Sequence, residues 1–205
     1  ARLSERADCT VLLLEAGGPD DHPDLRDPLL WPTLFPGPLD WGYQTTPQTH
    51  CDNRIIHCPG GKMLGGCHSH NASVWAHGHP SDFDHWFNLG NAGWDYQSVL
   101  PLFRKIEDWQ GDHPCRGRGG PLHISRPDNP NPIAAAFMDA AAEFGLPHVS
   151  DYNAGQMDGG SIHQYTIKDG QRFTVVDGYL KPAMERSNLT VLTHAETLRL
   201  LCDHG

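Results

Sequence analysis

Thirteen residues of this 205-residue chain, 59–71 (PGGKMLGGCHSHN), carry four glycines, a lysine, a cysteine and two histidines. Glycine at that density lets the backbone turn sharply and come close to a ligand, because no Cβ stands in the way. Exposed N–H groups in such a loop attract anions, and Lys62 adds a positive charge. A mobile surface loop has the same composition. Here, however, the pattern GG-x-x-x-HN runs straight into the apolar stretch 72–76, which anchors it.

The same region admits a second chemistry. Cys67, His68, His70, His77 and His79 are all potential metal ligands, and two H-x-H pairs suit alternate positions on a strand or extended loop. A metal-binding protein is therefore one alternative. A third candidate is Glu15. It follows the apolar run 10–14 (TVLLL), which reads as a parallel strand buried on both faces. An acid at the end of such a strand is where a dinucleotide fold places the carboxylate that holds the adenosine ribose. A turn or cap carboxylate would look the same. The glycine fingerprint of that fold belongs roughly 20 residues earlier, before Ala1.

These residues need elements to position them. Residues 1–7 resemble the tail of a helix, and 55–57 a short strand before the glycine loop. Residues 19–47 are rich in proline and aspartate, with Trp31, Phe35, Trp41 and Tyr43 as packing anchors. Ser81 followed by acids predicts a helix start, running to Gly90, and Ser98 caps a second helix containing Pro101. Residues 121–125 extend as a strand. Asn131 as cap, Pro132 at the first position and Gly145 at the stop bracket a third helix. Its Ile133, Phe137 and Phe144 predict a face docked on a core. Strands are expected over 159–168 and 172–176 around Asp169-Gly170, and over 189–193 and 197–202. The order is α/β at first and mixed later.

Bulk properties narrow the function. A net charge of −10 argues against nucleic acid or an anionic membrane as partner. No apolar run reaches the length of a membrane span. Six scattered cysteines without CxxC spacing read as free thiols in a reducing compartment, hence a cytoplasmic protein. Neither an initiator Met nor a signal peptide is present, and both ends look cut.

Six pieces then occur in register: VLLLEAGG (11–18), GKMLGGCHSHN (61–71), GHPSDFDHW (78–86), GNAGWDYQSVLPLFRKIED (90–108), GRGGPLHI (117–124) and DGYLKPAMERSNLTVLT (177–193). This succession resembles the glucose–methanol–choline (GMC) oxidoreductase family, flavoproteins that oxidise alcohols. The resemblance implies an α/β fold, with a Rossmann-like FAD-binding domain into which the beginning of an α+β substrate-binding domain is inserted. The implied division is 1–120 for FAD, 121–170 for substrate and 171–205 for the return. It implies FAD as cofactor, an alcohol as substrate, and oxygen or another electron acceptor as partner.

By the same resemblance Glu15 takes the ribose, and the loop through Met63, Gly65, Gly66, His70, Asn71, Ala72, Ser73 and Val74 wraps the isoalloxazine. Thr197 falls where the family has a valine whose backbone meets the adenine. The family has an arginine at the position of Gly60, and small hydroxyl residues at those of Cys67 and His68. Choline-oxidase-like members carry a cysteine at the position of Cys67, and at that of His70 a histidine that attaches the flavin covalently. The alternative for His70 is packing beside a dissociable cofactor. The family's catalytic histidine lies in a C-terminal half with no match here, so no catalytic residue is assigned and the chain alone is expected to be inactive. A flavin-fold module without catalysis is the remaining alternative.

Overall fold

A computed structural model of the protein describes residues 1–202, so the last three residues of the expected return segment lie outside the described ones. In chain order the elements are β1 (Val11–Leu14), β2 (Tyr43–Gln44), β3 (His57–Cys58), α1 (Pro80–Asn88), α2 (Tyr96–Ile106) and β4 (Glu107–Trp109). There follow β5 (Leu122–Ile124), α3 (Pro132–Glu143), β6 (Ile167–Lys168), β7 (Gln171–Arg172), α4 (Lys181–Met184) and β8 (Leu189–Leu192). Helices and strands are mixed, as the α/β expectation required.

The chain forms two compact units: Ala1–Ser73 with the chain from Asp169 onward, and Val74–Lys168. The chain passes from the first unit to the second after Ser73 and returns after Lys168. Within the second unit β4 pairs in parallel with β5, Glu107 against Leu122 through Trp109 against Ile124.

In the first unit β1 pairs in parallel with β8, Val11 against Leu189 through Leu14 against Leu192. The expected strand forms, but Leu12 and Leu14 are 56% and 46% exposed. One face alone packs: Val11, Leu13 and Val191 lie on a core of Leu64, Val176, Leu180, Ala183 and Leu189. A second core joins Leu25, Leu34 and Met63. Each such side chain removed from water contributes on the order of 1.5–3 kcal/mol. The strand expected at 197–202 does not form; these residues are irregular and exposed.

In the second unit α1 and α2 enclose Phe83, Tyr96 and Val99. Their caps lie earlier than serine positions suggested. His79 Nδ1 accepts from Ser81 N while Asp82 accepts from His79 N, a capping box with Pro80 at the first position. Asp95 caps α2, accepting from both N and Oγ of Ser98. Helix α3 forms as expected, with Asn131 Oδ1 accepting from Ile133 N. Its apolar face is open: Ile133, Phe137 and Phe144 are 78%, 73% and 88% exposed. Periodicity reports that a face is apolar and says nothing of what covers it.

Candidate functional site

The centre of the first unit is a clasp between two glycine turns. Beyond β1, Glu15 Oε1 accepts from Gly17 N at 2.8 Å, and Leu64 N donates to Gly18 O at 3.0 Å. A Cβ on Gly17 would lie 1.9 Å from Lys62 O, and one on Gly61 2.4 Å from the Gly66 carbonyl carbon. Only glycine permits these approaches. Gly65 adds a left-handed φ of 86°, and a Cβ there would meet Ser69 Oγ at 2.2 Å. Ser69 Oγ itself donates to Leu64 O at 2.7 Å, which ties the loop shut. The loop is therefore fixed, as its anchoring by 72–76 suggested, and Glu15 Oε2 makes no hydrogen bond among the described residues.

Past the turn at Gly66–Ser69 the chain passes over Arg172, at the end of β7. This arginine is 2% exposed. Its Nε donates to Leu25 O at 2.9 Å and its Nη1 to Ser73 Oγ at 2.7 Å, to Asn71 Oδ1 at 3.2 Å and to Asn71 O. Ser73 is held at a left-handed φ of 61°. Nη2 is buried with no partner. Burial, with the nearby charge of Arg26, lowers the guanidinium to about 10. His68 Nδ1 accepts from Val175 N at 3.0 Å. His70 is buried against Phe35, with ring centroids 5.5 Å apart. Neither of its ring nitrogens has a hydrogen-bond partner, and burial holds its pKa below the usual imidazole value.

The second unit contains a different polar cluster. Glu107, fully buried, accepts from Arg116 Nη2 at 2.8 Å, Gly117 N at 2.7 Å and Trp75 Nε1 at 3.2 Å, and lies 3.1 Å from His77 Nε2. Arg116 Nη1 reaches Asp151 at 2.9 Å and Gln164 Oε1 at 2.7 Å. Burial pushes the Glu107 carboxyl up, but the bonds from His77, Arg116 and Gly117 N outweigh it and hold it at about 2. Sequence reading missed this cluster and Arg172 alike. Their partners lie up to 48 and 147 positions away, and no local pattern marks them.

Of the expected site residues, Glu15, Gly65, Gly66, His70, Asn71, Ala72 and Ser73 fall in the first unit around this clasp and the arginine. Met63 is there too, but its side chain is fully buried in the core with Leu25 and Leu34, which leaves only its main chain to face a ligand. Val74 opens the second unit, bridged to Tyr165. Thr197 is exposed on irregular chain.

The histidine–cysteine cluster does not assemble. His68 and His70 belong to the first unit and His77 to the second, bound to Glu107, while His79 caps α1 and Cys67 Sγ accepts from Gly61 N at 3.4 Å. Among the described residues no group of three His, Cys, Asp or Glu converges to hold a metal ion.

A parallel strand ending in an acid, with two apposed glycine turns beyond it, is the arrangement of α/β proteins that take ligands at the carboxyl ends of their strands. The GMC oxidoreductase family matches residues 15–205, and the chain belongs to that family. Oxygen-dependent choline dehydrogenase from Rhizobium etli is 37% identical over all of this chain and 37% of its own length. The structure of pyridoxine 4-oxidase from Mesorbium loti superposes with a TM-score of 0.91 at 40% identity, over 95% of this chain and 39% of that one. An FAD-dependent oxidoreductase from Chaetomium thermophilum gives 0.82 at 30%, over 93% and 35%. The chain thus spans somewhat over a third of the length of these relatives.

Proposed function

We propose that the protein is an FAD-dependent oxidoreductase acting on CH–OH groups, oxidising an alcohol to an aldehyde, and that this chain supplies its FAD-binding portion. In this reading the first unit is the Rossmann-like FAD-binding domain, and the second contains the beginning of the substrate-binding domain. The observation that carries it is the clasp: Glu15, with one carboxylate oxygen committed to Gly17 N and the other unengaged, stands beside a glycine loop closed by backbone contacts. Those residues fit the cofactor. Glu15 Oε2 is left to accept from the ribose hydroxyls. Main-chain groups of Met63, Gly65 and Gly66 line the loop. Asn71, Ala72, Ser73 and Val74 form the segment against the ring, and the Thr197 backbone serves the adenine. The bound flavin supplies a hydride acceptor at N5.

His70 is a wall of this site. Its neutral imidazole suits a nucleophile toward the ring methyl, but both nitrogens are enclosed beside Phe35, so attachment through them requires the loop to open. The enclosure favours a dissociable FAD over the covalent one.

Choline and pyridoxine, named for the relatives, head the panel of candidate alcohols, and oxygen heads the panel of acceptors. All six cysteines are free, which supports a cytoplasmic setting. No described helix is long and apolar enough to cross a membrane. The test is the visible spectrum of the full-length protein and its bleaching by alcohols without oxygen. A flavin spectrum that an alcohol bleaches is expected. A colourless protein, or a flavin no alcohol reduces, overturns the proposal.

A further inference from the structure

Arg172 is buried among neutral oxygens. No carboxylate lies within ion-pair distance of it among the described residues. The two acids nearby are already engaged: Asp20 pairs with Arg26 at 2.8 Å, and Asp177 with Arg26 at 2.9 Å and Lys181 at 2.6 Å. Arg26 and Lys181 thus take up both of these carboxylates, and Arg172, more deeply buried than either, has none. Removing an ion from water without a counter-ion costs several kcal/mol, so packing alone does not account for it. An apolar side chain would fill the space with no such penalty.

The charge also reaches the glycine loop. Burial first, and then Arg172, keep His68 below its usual pKa against the pull of Asp177. At His70 burial dominates, with Arg172 acting in the same direction and Asp40 and the Cys67 main chain opposing it. Its Nη1 holds the main chain at Asn71 and the hydroxyl of Ser73, the segment proposed above to lie against the ring.

We infer that Arg172 is a positioning residue that fixes the 71–73 segment and, as a permanent cation, raises the reduction potential of the flavin bound there. The inference rests on the proposed function. An alcohol oxidised to a carbonyl loses a hydride from carbon and a proton from its hydroxyl. A hydride carries two electrons and one proton, so the neutral ring that takes it up gains one unit of negative charge. A fixed cation in a site closed to water stabilises that charge without reorganising.

The experiment measures the midpoint potential of the flavin in the full-length protein by equilibration with a reference dye, for wild type, R172Q and R172K. Losing the charge in R172Q should favour the oxidised form by about tenfold, a drop of about 30 mV for a two-electron couple. R172K keeps the charge while losing the three-acceptor grip, and should stay close to wild type. If R172Q does not fold, Ser73→Asp replaces it. Aspartate tolerates the left-handed φ there and places a carboxylate beside Nη1, so the potential should again fall. An unchanged potential in flavin-bound R172Q or Ser73→Asp overturns the inference, as do equal shifts in R172K and R172Q. Protein that purifies without flavin overturns the proposed function, and this inference with it.

Discussion

Arg116 and Arg172 are 4% and 2% exposed, and the protein treats the two charges in opposite ways. Arg116, in the second unit, is surrounded by Glu107, Asp151 and Gln164 and stacks over Trp109, its Cζ 4.2 Å from the ring centroid. Arg172, in the first, meets carbonyls, an amide and a hydroxyl, and keeps one nitrogen without a partner. The histidines divide likewise: His77 binds Glu107 through Nε2, with Nδ1 unpartnered, and His70 has no partner on either ring nitrogen. A buried network whose charges are paired rigidifies the unit that contains it. In the proposed reading the cation and the imidazole left unsatisfied stand where a ligand is to be met, and that difference separates scaffold from site.

The sharpest way to break this comparison is to remove the scaffold's acid. Glu107→Leu leaves Arg116 with half its counter-charge and should cost about 3–5 kcal/mol of stability, the range for breaking a buried pair. Denaturant unfolding of the full-length protein checks it, and a change under about 1 kcal/mol would make the network ornamental. The same acid sets a pH response. Because its folded pKa of about 2 lies below the ordinary 4.5, its contribution is complete above pH 4.5 and is lost as pH falls toward 2. Thermal scans should show the midpoint falling across that window, and the fall should be smaller in Glu107→Gln, where the other lowered carboxylates, Asp40 and Asp177 among them, still contribute.

In the open region the effects should move to the cofactor. Glu15→Ala should weaken FAD binding by about 1.5–3 kcal/mol, the range for hydrogen bonds to charged groups, with little change in the stability of the flavin-free protein. Flavin retention on dilution measures it; full retention would return Glu15 to the ordinary turn carboxylates. The smallest effect concerns His70. Acid precipitation should leave a white pellet and a yellow supernatant for wild type and His70→Ala alike. Yellow that stays with the wild-type pellet and is lost in the variant would mean the loop opens far enough for covalent attachment.

Much of the local structure was legible. Asn131, Pro132 and Gly145 bracketed α3 because capping, the fixed proline φ and the left-handed stop act within a few residues. The turn at Asp169-Gly170 was equally plain, with φ of 51° and 73°. The starts of α1 and α2 were misplaced by a few residues: Ser81 and Ser98 are usual caps, but α1 is capped by a histidine, which is not one, and α2 by Asp95, an equally usual cap three residues before Ser98. At 197–202 alternating apolar residues suggested a strand, but β structure needs a neighbour, and that segment has none among the described residues.

By itself the sequence determined the family, through six short pieces in register, and a glycine-dense loop at 59–71. It also determined every helix whose signals lie within one turn of its ends. Tertiary structure alone decided that β1 pairs with a strand 178 positions later, that the Met63 side chain lies in a core, and that five potential ligands scatter into separate roles. It alone decided which of two arginines is neutralised. Capping, turn chemistry and steric exclusion are settled by near neighbours. Whether a buried charge finds its counter-charge depends on residues brought together only when the chain has closed.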